Sequence, residues 1–97
     1  MNSPIKLLVL DILKPHSPNI IEYGKRIGAM KNVSGVNVTV VEIDERTETI
    51  KLTVKGSKIN YEDLLDTIRD LGGTVHSIDE VAAGKKLIRD SNPSKRG

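Results

Sequence analysis

The sequence predicts an α+β sandwich: four strands and two helices in the order β-α-β-β-α-β. Three observations carry that reading. Apolar residues recur at helical spacing in two segments, Ile20, Tyr23, Ile27, Met30 and Leu64, Leu65, Ile68, Leu71. Four other segments are short runs rich in Ile, Val and Leu, or alternate apolar with polar residues, as strands do. Each helical segment follows a strand, and a strand pair separates the two helices.

Ile5 to Leu13 is the first strand. Leu8, Leu10 and Ile12 lie on one face and Ile5, Leu7 and Val9 on the other, the pattern of a central strand. Lys14-Pro15-His16-Ser17 forms a loop, after which Ser17 caps a helix with Pro18 at its first position and a run to about Lys31. Gly24 and Gly28, four apart, mark close packing of that helix on a sheet. Ser34-Gly35 turns the chain into a strand from Val36 to Glu45. Its alternation slips at Val40-Val41, which predicts a bulge. Arg46-Thr47-Glu48 is a hairpin connection. In the next strand, Thr49 to Lys55, Ile50, Leu52 and Val54 face inward, and Gly56-Ser57-Lys58 ends it.

Asn60 caps the second helix, with Asp63 three residues on and Ile59 placed to staple to Leu64. Gly72-Gly73 stops it. Thr74 to about Ala83 is the last strand. Past Gly84 the reading is fraying, then disorder around Ser91-Asn92-Pro93-Ser94. Right-handed crossovers turn this order into a ferredoxin-like sandwich: an antiparallel sheet of order 4-1-3-2 with both helices on one face. Residues 1–84 form the single domain and 85–97 a basic, flexible tail.

Composition excludes much. The 97 residues suit one domain, and with no cysteine there is no disulfide, thiolate metal site or Cys nucleophile. Tyr23 and Tyr61 are the only aromatics, too few for a base-stacking platform. No apolar run approaches the roughly 20 residues of a membrane span, and no signal peptide is seen, so no membrane partner and a cytoplasmic location are expected. The net charge of +2 is uneven. Residues 1–84 carry ten Lys/Arg against twelve Asp/Glu, whereas residues 85–97 carry Lys85, Lys86, Arg89, Lys95 and Arg96 against Asp90 alone. The basic balance thus belongs to a short tail, weak grounds for nucleic-acid contact. The absence of Gln beside abundant Lys, Glu, Asp and Ile hints at a thermophile, a hint that six Asn weaken.

In this topology the C-terminal ends of the first two strands share a sheet edge with the N-terminal ends of the other two. That rim collects Asp11, His16, Glu42, Asp44, Lys51 and His76, with Asp79 one step further in. Asp11 interrupts an apolar strand and needs a partner there. The bland reading is an ion pair with Lys51 or a bond to Ser or His, and the sharp one is a metal or ligand anchor. The carboxylates Asp11, Glu42, Asp44 and Asp79 suit calcium or magnesium. His16 and His76 alone are ordinary, but with Asp11 they would suit zinc or nickel. No nucleophile motif or phosphate-cradling loop stands out. Two placements stay open: with Asp11 turned away from the helices, Leu7 and Val9, with Lys51 and Thr53 as polar neighbours, lie on the uncovered face, and with Asp11 under the helices that face carries Leu8 and Leu10 instead. Apolar residues on an open sheet face favour association, so this face is the expected interface of a homo-oligomer, a closed ring being one form.

Leu10-Asp11-Ile12-Leu13-Lys14-Pro15-His16 and His76-Ser77-Ile78-Asp79-Glu80-Val81-Ala82-Ala83-Gly84-Lys85, with Glu42-Ile43-Asp44 between, resemble an archaeal family catalogued as domain of unknown function 211. The likeness reaches to about Arg89. It implies a ferredoxin-like fold and an archaeal, cytoplasmic, oligomeric protein, and no activity. Val33 to Gly73 is also similar to the heavy-metal-associated domains, but their Cys-x-x-Cys is missing from the Lys14 to Asn19 loop. The functional expectation is a non-enzymatic, self-associating binding or regulatory module with a divalent cation at the rim. The alternatives are a metal-dependent enzyme with Asp11 and Asp79 as ligands and His16 or His76 as acid/base, and nucleic-acid contact through the tail.

Overall fold

The computed structural model describes residues 2–88. The chain runs β1 (Ile5–Pro15), α1 (Ile20–Gly28), β2 (Val33–Ile43), β3 (Thr47–Gly56), α2 (Tyr61–Asp70) and β4 (Thr74–Ala83). The four strands form one antiparallel sheet of order β2-β3-β1-β4, the predicted 4-1-3-2 read from the other edge. Both helices cover one face. Tyr23, Ile27, Leu64 and Ile68 from the helices pack with Leu8, Leu10, Ile12, Ile50, Leu52 and Val54 from β1 and β3 in one buried core. Among the described residues no helix is long and apolar enough to cross a membrane.

Strand alternation decides what lies where. Leu8, Leu10 and Ile12 pair with Val54, Leu52 and Ile50, so these positions share the helix-covered face. Asp11 pairs with Lys51 and Val9 with Thr53, which puts them and Leu7 on the open face, the first of the two placements. Lys14 continues the inward parity of Leu8, Leu10 and Ile12, and its residue is only 1% exposed.

Several boundaries differ from the sequence reading. β1 extends through Lys14-Pro15, which pair with Glu48 and Thr47 rather than forming a loop. Neither Ser17 nor Pro18 starts α1; Asn19 is its cap, the carboxamide oxygen accepting the Ile21 N–H at 3.0 Å. That side chain reaches an N–H at the helix start. The helix stops at Gly28, not near Lys31, because Ala29 caps it and Asn32, at φ 66°, reverses the chain. β2 consequently starts at Val33, and Ser34-Gly35 lie within it, Gly35 opposite Lys55. The predicted bulge is present: Val40 pairs with Ile50 and Glu42 with Thr49, leaving Val41 extra.

α2 follows its signals closely. The Asn60 side chain accepts the Asp63 N–H at 3.0 Å, and Gly72 takes φ 85° after Leu71. β4 spans the predicted Thr74–Ala83 but carries two irregularities. Its register against β1 slips between Asp11↔Ser77 and Ile12↔Val75, leaving His76 extra, and between Val9↔Glu80 and Leu10↔Ile78, leaving Asp79 extra, while a third slip, between Leu7↔Ala82 and Ile5↔Ala83, leaves Lys6 of β1 extra. Of the expected tail, Arg89, Lys95, Arg96 and the Ser91–Ser94 stretch lie outside the described residues.

Candidate functional site

Two polar clusters form on the sheet, one on its open face and one at its rim. On the open face, the pairing of β1 with both neighbours sets Asp11 between Lys51 and Ser77. The β4 irregularity at Asp79 brings a second carboxylate to the same ammonium. Lys51 Nζ lies 3.0 Å from Asp79 Oδ2 and 3.6 Å from Asp11 Oδ1. Ser77 Oγ lies 2.9 Å from Asp79 Oδ1 and 3.4 Å from Asp11 Oδ2. A hydroxyl has one proton to donate, and the shorter contact takes it. Asp11 Oδ1 is buried without a hydrogen-bond partner, so Asp11 is the under-served member of the pair. The Lys51 ammonium, followed by the Ser77 hydroxyl, holds the Asp79 carboxyl below its usual range. The same carboxylate, with the charge of Asp11, raises Lys51.

At the rim, Glu48 joins Lys14 of β1 and His16 of the loop after it. Its Oε1 lies 3.2 Å from Lys14 Nζ and its Oε2 2.9 Å from His16 Nδ1. Lys14 also donates to the carbonyls of Pro15 and His16 at 2.7 and 3.3 Å, and sits 5.3 Å from the centre of the Tyr23 ring. These contacts account for a lysine side chain with no exposure. The other imidazole nitrogen, Nε2, is 3.0 Å from the Glu45 carbonyl oxygen. The Glu48 carboxylate, then that carbonyl, raise the pKa of His16 above the ordinary 6.5. Reciprocally, His16 and then Lys14 hold Glu48 below its usual range. Burial pushes the Tyr23 phenol up.

The candidate ligands therefore divide. Asp11 and Asp79 meet, across Lys51. His16 is spent on Glu48 and Glu45. Glu42 and Asp44 stand exposed at the far end of β2 and in its turn, and His76 is exposed on β4. Among the described residues no three His, Asp or Glu groups are placed to hold one metal ion. Reasoning from sequence missed Lys14, Glu48 and Ser77. The signals for Lys14 and Ser77 were parity: Lys14 is two residues beyond Ile12, and Ser77 two before Asp79. Nothing local marked Glu48, whose role depends on the β1–β3 register.

Fold and clusters together define a ferredoxin-like α+β domain with an uncovered, charged sheet face. The chain belongs to the DUF211 family, described as uncharacterized ArCR, whose sequence profile matches residues 6–96. It is also similar to an uncharacterized protein of Methanocaldococcus jannaschii, 48% identical over 86 residues that make up 89% of each chain.

Proposed function

We propose that this protein is a self-associating binding module whose copies join head to tail through the two sheet edges, with Asp11 and Asp79 as its ligand site. The observation that carries the reading is apolar surface left open on both edge strands. On β2, Val41 and Ile43 are 59% and 65% exposed; on β4, Ile78 and Val81 are 54% and 57% exposed. The β4 pair continues into a hollow lined with Ile5, Leu8 and Tyr61, with no polar lining. The two patches differ and lie on opposite edges. A two-fold contact would match one patch with itself and leave the other open. A head-to-tail contact uses both, and it closes into a ring when the rotation between copies permits. On the open face Leu7 is already 9% exposed within one chain and Val9 is half-buried, while Leu13 is 42% exposed. The apolar area that face adds to an assembly contact comes from Val9 and Leu13, with Lys51 and Thr53 beside Val9, and Leu7 contributes little because it is already covered.

The ligand best suited to Asp11, whose Oδ1 has no hydrogen-bond partner, is a hard divalent cation, calcium or magnesium, which takes carboxylate and hydroxyl oxygens and would displace the Lys51 ammonium that now stands 3.6 Å from that oxygen. One chain offers Asp11, Asp79 and Ser77, so a neighbouring copy or water completes the shell. Zinc or nickel would call on His16 and His76; His16 already has an acceptor at each ring nitrogen, which favours the carboxylate reading.

Native mass spectrometry of the full chain tests both halves, before and after chelator and with calcium, magnesium, zinc and nickel added back singly. The expected result is a multimer holding calcium or magnesium in proportion to its subunits, lost in Asp11→Asn. A monomer at every protein concentration overturns the assembly. A multimer indifferent to all four ions overturns the cation site.

A further inference from the structure

The rim cluster is chemically complete in only one protonation state. His16 Nδ1 faces the Glu48 carboxylate at 2.9 Å and Nε2 faces the Glu45 carbonyl oxygen at 3.0 Å. Both partners accept hydrogen bonds and neither donates. A neutral imidazole carries one N–H and one lone pair. In either tautomer it would set that lone pair against an acceptor oxygen at hydrogen-bond distance. The imidazolium donates to both. Hydrogen bonds with an ionised donor or acceptor are also roughly twice as strong as neutral ones, and the imidazolium makes both of its bonds of that kind.

What the two bonds hold is specific. Glu48 is the second residue of β3 and Glu45 lies in the turn before it, whereas His16 belongs to the loop between β1 and α1. The imidazole thus ties the tip of the β2–β3 hairpin to the start of the helical layer. Strand pairing with β1 ends at Pro15↔Thr47, so Asp44, Glu45 and Arg46 lie beyond the ladder. The internal bond of the tip is Asp44 N–H to the Thr47 carbonyl at 2.8 Å, and Asp44, Glu45 and Arg46 are exposed.

We propose that His16, Glu48 and Lys14 form a proton-operated clamp that fixes the β2–β3 hairpin tip on the β1–α1 loop and releases it when His16 loses its proton. The groups facing the imidazole come from each neighbouring element. Glu48 of β3 is the anionic partner, and Lys14 of β1 holds the far oxygen of that carboxylate. Tyr23 of α1 underlies Lys14, and the hairpin contributes the Glu45 carbonyl with the exposed charges of Asp44, Glu45 and Arg46. Lys14 keeps Glu48 ionised and in place whether or not His16 is charged, so the Lys14–Glu48 half is constant and the His16 half moves. Imidazole is the side chain whose ordinary titration falls nearest neutral pH, and the Glu48 and Glu45 contacts move that of His16 upward. The tip so released follows directly on the end of β2 that carries Val41 and Ile43, so the clamp governs the order of one edge of the sheet.

The test is an NMR pH titration of the full isotope-labelled chain, following the His16 ring carbon–proton pair and the backbone amides of Glu45, Arg46 and Thr47. The expected result is a His16 midpoint above 6.5, with the three amides shifting at that same midpoint. Their exchange with solvent should quicken on its alkaline side beyond the intrinsic base-catalysed rise, measured against the Asp63 amide held by Asn60. Glu48→Gln should lower the midpoint. Should that variant fold poorly, His16→Gln leaves Lys14–Glu48 intact and should abolish the amide titration. A His16 midpoint at or below 6.5, or hairpin amides that ignore it, overturns the clamp.

Discussion

The phenol of Tyr23 on α1 donates a 3.0 Å hydrogen bond to the carbonyl oxygen of Leu71, the residue that ends α2. Tyr23 is fully buried, and its ring also underlies the Lys14 ammonium. One side chain therefore joins the end of one helix, the other helix and the end of β1. Tyr23→Phe keeps the ring and removes the donor, leaving a C-terminal carbonyl of α2 short of its partner. We expect a loss of about 1–2 kcal/mol, the usual cost of orphaning a buried acceptor, read from urea unfolding midpoints at constant slope. A variant within error of the parent would show that water replaces the phenol.

Lys14 and Glu48 should not respond equally to truncation. Glu48→Ala strands an ammonium whose side chain is wholly buried, with only the Pro15 and His16 carbonyls to face. Lys14→Met removes the charge and keeps the packing on Tyr23, while Glu48 retains His16. Breaking a buried pair from one side generally costs more than replacing the buried charge with an apolar group of similar volume. Thermal midpoints should fall in the order parent, Lys14→Met, Glu48→Ala. The reverse order would mean that Glu48 is held chiefly by Lys14.

Stability should depend on pH from both sides. Glu48 and Asp79 have folded-state pKa values below the ordinary 4.5 and 3.8. Their contributions are complete above those ordinary values and are lost as pH falls through the depressed ones. His16 is raised above 6.5; its contribution is complete below 6.5 and is lost as pH rises through the raised value. These groups together predict a plateau between about 4.5 and 6.5 and a decline on either side. His16→Gln should flatten the neutral-to-alkaline limb and leave the acid limb in place. Denaturant midpoints measured across pH decide it.

Two glycines close to each other in the fold make a sharp contrast. A Cβ on Gly56 would collide with the backbone carbonyl of Asn32, the same oxygen that accepts the Ser57 N–H at 3.0 Å. Gly35, opposite Lys55 on the neighbouring strand, has nothing within 4 Å of such a Cβ. Gly56→Ala should cost about 1–3 kcal/mol as an overpacked backbone contact. Gly35→Ala should stay within about 0.5 kcal/mol of the parent, since a compatible Gly-to-Ala change mainly restricts the unfolded chain.

What the sequence makes legible follows from the range of each interaction. Asn60, Asp63, Gly72 and the Leu64-Leu65-Ile68-Leu71 stripe are local, and α2 appears where they place it. Leu8, Leu10 and Ile12 alternate cleanly, yet they cannot say which face the helices cover; that depends on how Ile50, Leu52 and Val54 align across the sheet. The open-face ion pair of Asp11 and Lys51 and the nearness of Asp79 were foreseeable from topology; that Asp79 shares the Lys51 ammonium was not, because an extra residue in β4 turns it there. Pro18 drew the start of α1 two residues early, since a proline suits the first turn of a helix as well as the approach to one. The rim was predicted as a gathering of acids and histidines. Glu48, three residues from Lys51 and at the edge of a hairpin, gave no local sign that it would hold both Lys14 and His16.

The two sheet edges offer a test that no single variant provides. If Val41 and Ile43 of one copy meet Ile78 and Val81 of the next, a charge on either edge spoils every contact between identical chains. Ile78→Lys and Ile43→Lys, each exposed in the single chain, should fold normally and each give a small particle on its own. Mixed in equal amounts, the intact β2 edge of the first fits the intact β4 edge of the second. That pair has no further good edge to offer, so growth stops at two chains. Light scattering should therefore read monomer, monomer and dimer for the three samples. A two-fold contact predicts otherwise: one of the variants would assemble as the parent does, and mixing would add nothing. The dimer appearing only on mixing is the outcome that a head-to-tail assembly requires.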